Sequence, residues 1–207
     1  MEYISLAFKK GGPFMFIILG ALVFGLAIIV ERFIYIGVKN RIDTSKFVDK
    51  VLQLLNQGGI AKAVELCNLS KAALPVITKA GLQKYGKSPK EVQNAFELAA
   101  MNEIPKLEKR THYLAMIANV ATLLGLLGTI IGLIQSFEAV AAADSSQKAA
   151  LLSAGISVAM NTTAFGLIVA IPCMISHSYI QSKTNSIIDD INENVARIYQ
   201  RIIQPRG

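Results

Sequence analysis

The chain has 207 residues, 53% hydrophobic and 17% charged, with a formal net charge of +7 and a mean hydropathy of +0.46. This excludes a disordered chain, which needs low hydrophobicity, and two cysteines are too few for a disulfide scaffold. The apolar residues are bunched rather than spread periodically, which points to membrane spans; the basic excess then marks either nucleic-acid affinity or cytoplasmic loops.

Residues 1–13, with Lys9 and Lys10, read as a short interfacial helix on the outer face. A first transmembrane helix follows over 14–38, uncharged up to Val30, with Glu31 and Arg32 at the interface. Its apolar stretch is too long for a signal peptide, so the span is read as retained. Residues 39–112 carry 13 Lys/Arg against 7 Asp/Glu, which makes this long region cytoplasmic by the positive-inside rule. Within it, Gln57-Gly58-Gly59 separates a helix around Phe47 to Leu55 from one around Ile60 to Cys67. Ser88-Pro89-Lys90-Glu91 is a capping box that starts a helix at Pro89. Only Pro105 interrupts the pattern from there into the second span, so a helix of about 49 residues, roughly 70 Å long and bent at Pro105, is predicted.

The second transmembrane helix covers 113–137 and the third 149–180, joined by a periplasmic loop over 138–148. The C-terminal region, 181–207, is a cytoplasmic amphipathic helix with apolar residues at 187, 188, 191, 195, 198 and 202. No strand pattern appears. The fold class is therefore an all-α membrane protein with three transmembrane helices and long cytoplasmic helical extensions. The positive charge lies mostly in the cytoplasmic loop, which removes the case for nucleic acid.

Spans two and three are built for more than oiliness. Ala115, Ala118, Thr122, Gly125, Thr129, Gly132 and Ser136 form one stripe of small or hydroxylated residues, with Gly128 beside it. Ile117, Leu124, Leu127, Ile131 and Ile134 face the other way, towards lipid or apolar packing. On span three, Gly155, Ala159, Thr162, Gly166, Ala170 and Cys173 share a face with Thr163 at its edge, and Pro172 is expected to kink the helix. Close helix packing explains the small residues. The consecutive Asn161, Thr162 and Thr163 at membrane depth go further and suggest a polar path or ion site. Neither span contains Asp, Glu, Lys or Arg. If ions pass here, the titrating carboxylate comes from another polypeptide.

His112 and His177 sit at the expected membrane edges without metal-ligand companions, and Cys67 and Cys173 fall in places where no disulfide is expected. No phosphate-binding loop, nucleophile elbow or carboxylate pair is present in the sequence, so no enzyme, cofactor or metal site is expected.

Residues 123–132, Leu-Leu-Gly-Leu-Leu-Gly-Thr-Ile-Ile-Gly, resemble the signature of the MotA/TolQ/ExbB family of ion-driven motor subunits. Residues 161–172, Asn-Thr-Thr-Ala-Phe-Gly-Leu-Ile-Val-Ala-Ile-Pro, resemble its partner motif in the last span, and Glu31-Arg32 closing the first also fits. Three spans with the N-terminus outside are similar to the TolQ/ExbB branch. The resemblance implies a multi-pass protein of the bacterial inner membrane, N-terminus periplasmic and C-terminus cytoplasmic. It implies a homopentamer around a dimer of a single-span ExbD/TolR-like partner that supplies a membrane Asp, with a TonB/TolA-like transducer beyond. Proton motive force would then be coupled to envelope work such as TonB-dependent import or Tol-type function. By position, Thr129 and Thr163 match the family's pore threonines, and Thr162 doubles the second. Val158 stands where ExbB-like relatives carry Glu. The doubled threonine also resembles sodium-driven stators, so Na⁺ in place of H⁺ is one alternative; a non-conducting scaffold and a passive channel needing no partner are others.

Overall fold

The computed structural model describes residues 12–40 and 42–204. The interfacial helix expected over 1–13 lies outside the described residues, save that Gly12 and Pro13 begin the first span's helix. The described elements are α1 (Gly12–Ile34), which runs into a π-helical turn (Tyr35–Lys39), then α2 (Thr44–Asn56), α3 (Ile60–Asn68), α4 (Ala73–Leu82), α5 (Pro89–Glu108), α6 (Thr111–Ala141) and α7 (Lys148–Ile203). No strand occurs among the described residues. Three stretches, Phe14–Val38, Pro89–Ala141 and Lys148–Ile203, contain helix long and apolar enough to cross a membrane. The chain divides into two compact units, one of residues up to 30 with 110–178, the other of 31–109 with the residues from 179 onwards.

The first unit packs α1 against α6 and the first half of α7. Ile18, Ala121 and Val169 form its small core, flanked by Leu22, Leu124 and Phe165. At Gly25 a side chain would stand 2.9 Å from Cys173 Sγ and 3.6 Å from Ile117 Cγ2, so the missing Cβ lets α1 settle onto both neighbours. Ile117 is thereby buried, whereas Leu127 and Ile134 on the same predicted face stay exposed, as do Phe16, Val23 and Ile175. A surface this apolar suits lipid or other membrane helices.

The second unit is a helical bundle whose core draws on α2 (Val48, Val51), α4 (Leu74, Ile77), α5 (Val92, Phe96) and α7 (Ile191, Ile198). Asp43 caps α2 by accepting the Lys46 N–H at 3.1 Å. The predicted break between α2 and α3 falls at Gly58, whose φ of +69° favours glycine. Helix α4 has no counterpart in the sequence reading. Its N-cap, Ala72, offers no side-chain acceptor, and the first N–H, of Ala73, is taken by Asn40 Oδ1 at 3.2 Å. Asn40 is itself held by its backbone N–H and Nδ2, both 3.2 Å from the Tyr35 carbonyl in the π-helical turn. Gly81 of α4 faces the Phe96 ring so closely that no side chain would fit.

Helix α5 opens with the predicted capping box, Ser88 Oγ accepting the Glu91 N–H at 3.3 Å and Glu91 Oε2 accepting the Ser88 N–H at 3.1 Å. The long helix predicted to bend at Pro105 is instead interrupted at Lys109–Arg110. Helix α5 passes through Pro105, Lys109 leaves the helical region in a turn, and Arg110 takes a left-handed φ of 65°. The end is fixed by side chains. Arg32, 2% exposed, donates to the Lys106 carbonyl at 3.3 Å in the last turn of α5, pairs with Glu31 at 3.0 Å and lies 4.7 Å from the Tyr35 ring centroid. A guanidinium there satisfies a carbonyl with no helical donor and complements the negative helix end.

Helix α7 corrects the sequence reading in the other direction. The division drawn between 180 and 181 is absent, because no Gly or Pro occurs from Cys173 to Gln204 and one helix continues to Ile203. It runs through Pro172 without interruption. The tail's apolar face packs as anticipated, with Ile191, Ile198 and Ile202 buried.

The capping box makes the start of α5 sensitive to substitution and to acid. Ser88→Ala should cost about 1 kcal/mol in thermal or denaturant unfolding of the detergent-solubilised protein. The Glu91 carboxyl is held below its ordinary range, first by the Ser88 hydroxyl and then by the Ser88 backbone. Its contribution is therefore present above the unfolded-state value and is lost as pH falls through the lowered folded one. The gap between the wild-type and Ser88→Ala unfolding curves should narrow in acid, leaving the share of the Ser88 Oγ bond to the Glu91 N–H.

Candidate functional site: the seam between the second and third spans

Helices α6 and α7 meet at backbone distance in the first unit, and glycines make the approach possible. A Cβ on Gly166 would stand 2.6 Å from the Ala121 carbonyl oxygen and 3.2 Å from Gly125 Cα. One on Gly125 would be 3.1 Å from Thr163 Cα, and one on Gly132 would be 3.2 Å from Ala159 Cβ. Gly128 faces the Thr162 side chain and Gly155 faces Ser136. All five glycines singled out in the sequence thus line one seam, with Ala159 buried between them. Ala121 was missed. It lies four residues before Gly125, and this small-xxx-small spacing was the available signal.

At mid-seam two hydroxyls meet. Thr129 Oγ1 and Thr163 Oγ1 are in direct hydrogen-bond contact across the helices. Thr129 Oγ1 also lies 3.0 Å from the Gly125 carbonyl and 3.2 Å from the Ala159 carbonyl, and Thr163 Oγ1 lies 3.0 Å from that same Gly125 carbonyl. Each hydroxyl has one proton to donate, so two protons serve a cluster of four oxygens and more than one donor pattern is available by hydroxyl rotation. Both threonines are half-buried. The cluster carries no charge and does not titrate at neutral pH; its chemistry is to hydrate, accept from or briefly coordinate a passing cation.

The other predicted site residues fall around this pair. Thr162 is buried, but its hydroxyl turns back to the Val158 carbonyl at 3.1 Å on its own helix, so it does not join the four-oxygen cluster. Thr122 is exposed and donates to the Ala118 carbonyl at 3.0 Å, outside the seam, because contact at Ala121 rotates that stretch of α6 by about one position. Ser136 is buried and donates to the Gly132 carbonyl at 2.6 Å. Pro172 is exposed and lines nothing at the seam, while Ala170 and Cys173 are buried. Among the described residues no three His, Cys, Asp or Glu side chains gather as metal ligands. Cys67 and Cys173 are both buried, free thiols. Burial pushes the Cys67 thiol up to about 11, which leaves it unreactive at neutral pH.

The fold and the seam define an all-helical membrane protein whose two charge-free spans join through glycines around a threonine pair. The model of the MotA/TolQ/ExbB proton channel family matches residues 70–193, and the chain belongs to that family. It is 28% identical over 184 residues to a biopolymer transport protein ExbB homologue of Methanothermobacter thermautotrophicus, covering 89% of this chain and 65% of that one. It is 30% identical over 198 residues to the biopolymer transport protein ExbB-like 3 of Synechocystis, covering 92% of each. Against the Tol-Pal system protein TolQ of Haemophilus influenzae the figures are 34% over 101 residues, 49% of this chain and 44% of that one. The chain therefore spans just under two thirds of the first relative's length and nearly all of the second's. These relatives support the ExbB/TolQ-like branch.

The seam's tolerance can be tested directly. Gly166→Ala should destabilise the protein by about 1–3 kcal/mol, because the new methyl meets backbone that cannot turn aside. Gly20→Ala, where a Cβ meets nothing within 4 Å, should be neutral or slightly stabilising. Thermal unfolding in detergent measures both.

Proposed function

We propose that this chain is the ion-translocating subunit of an inner-membrane motor that couples the proton motive force to work at the cell envelope. The Thr129–Thr163 hydroxyl pair, set within two spans that hold no charged residue, carries the reading. Side-chain packing alone would be served equally well by apolar residues of the same shape, whereas hydroxyls at this depth give a proton or hydrated ion a polar foothold. They cannot relay a proton by titration, so a carboxylate is required from outside the chain. In this proposal a homopentamer encloses a dimer of an ExbD/TolR-like single-span protein whose membrane Asp exchanges protons beside the threonines. Each elementary charge crossing 100 mV releases about 2.3 kcal/mol, so several charges suffice for a conformational step. A TonB- or TolA-like transducer would carry that step outwards, for TonB-dependent import or Tol-type function. With Val158 in place of an acid, the membrane carboxylate comes wholly from the partner.

The proton is preferred to Na⁺ because the family whose model matches is one of proton channels. Exchanging both seam threonines for valine keeps their shape and removes their hydroxyls. The Thr129→Val/Thr163→Val protein should assemble and copurify with its partner, yet pass few or no protons in energised proteoliposomes that hold both components. Full proton flux in the double variant would overturn the reading, as would flux from this protein reconstituted alone. A Na⁺ dependence of that flux would move the proposal to the sodium-driven motor.

A further inference from the structure

We infer that the second unit holds a binding cavity for the headgroup of an aminophospholipid, at the level where the first and third spans leave the membrane. The cavity encloses about 380 Å³, within the size range of small-ligand sites. Its walls come from the π-helical turn (Ile36, Gly37), the start of α4 (Leu74) and the tail stretch of α7 (Ile187, Ile191), with Ile42 between them. Polar groups reach it from Asn40, Thr44, Lys183 and Asp190. Ile36 and Gly37 lie in the last turn of the candidate span Phe14–Val38. Lys183 is the first charged residue on α7 after Lys148. The site is therefore apolar towards the hydrocarbon and polar towards the cytoplasm, as a lipid headgroup is.

The order of the charges selects the lipid. Lys183 and Asp190 are seven residues apart on one helix, two turns or roughly 10 Å along its axis, so both can face one cavity. Neither forms a salt bridge among the described residues. The cation lies nearer the span and the anion further into the cytoplasm. In a phospholipid the phosphate likewise lies nearer the acyl chains and the headgroup amine further out. Lys183 then meets the phosphate, Asp190 meets the primary ammonium, and the apolar walls take the glycerol and the first methylenes. Phosphatidylethanolamine fits this pattern. Phosphatidylglycerol offers Asp190 only neutral hydroxyls, without the charge of an ammonium, and phosphatidylcholine gives it no N–H to accept. This inference rests on the membrane location alone and is independent of ion translocation.

The test uses the full-length protein in nanodiscs containing equal amounts of phosphatidylethanolamine, phosphatidylglycerol and phosphatidylcholine. Lipids retained after transfer to detergent are counted by native mass spectrometry. The wild type should retain phosphatidylethanolamine preferentially. Asp190→Asn should reduce that preference roughly tenfold, and Lys183→Gln should reduce retention of all three lipids by roughly the same factor, the weight of one charge-assisted hydrogen bond. Both side chains are exposed, so neither change should disturb folding. At Gly37 an added Cβ meets nothing within 4 Å, and Gly37→Phe should fill the cavity and abolish retention while circular dichroism stays unchanged. Unaltered retention in these variants, a wild-type preference for phosphatidylglycerol, or no retained lipid in a fully assembled wild type would each overturn the assignment.

Discussion

The close approach of Gly166 to the Ala121 carbonyl sets the spacing on which the seam depends. In lipid there is no hydrophobic gain from bringing two apolar helices together, so association rests on van der Waals contact and on hydrogen bonds between them. Both need short distances. With Gly125, Gly128 and Gly132 on one helix and Gly155 and Gly166 on the other, backbone meets backbone or a small side chain along the interface. Only at that separation can a side chain as short as threonine reach the neighbouring helix. Thr129 touches the Ala159 carbonyl and Thr163 the Gly125 carbonyl because the glycines have removed the atoms that would hold them apart. The polar cluster is a product of the packing.

Much of this was legible in the sequence because it is local or periodic. Hydropathy located the spans, the three-and-four spacing of small residues located the seam, and Ser88 to Glu91 located a helix start that forms as anticipated. What escaped is long-range. Helix α4 begins at a cap 33 residues away in the chain, which no local pattern reports. The end of α5 is determined by Arg32, which lies 74 residues from the carbonyl it binds. Thr122 and Thr162 show a subtler limit. Both have the right residue type and nearly the right phase, but a hydroxyl in a helix can always bond the carbonyl four residues back, and these two do so within their own helices. Which threonines turn outwards depends on what the facing helix offers, and that is decided by packing.

The residues that close the first span have a common task. Arg32 satisfies the last turn of α5, and Asn40 satisfies the first N–H of α4. The Glu31–Arg32 pair therefore does more than mark where hydrophobicity ends. Placing a guanidinium at 2% exposure is costly, and here a carbonyl, a carboxylate and an aromatic face offset part of that cost, while the buried Nε has no hydrogen-bond partner among the described residues. Within the second unit, the start of α4 and the end of α5 are thus both held by side chains from residues 32–40.

The Asn40 cap also bears on biogenesis. Translation delivers Asn40 to the membrane surface well before Ala73 leaves the ribosome, so the acceptor for the first N–H of α4 is waiting when that segment emerges. The cap is thus synthesised before the helix it starts, and α4 can take its first bond as soon as it forms. A soluble fragment beginning after residue 40 would keep every apolar residue of α4 and still lack the atom that tells it where to start.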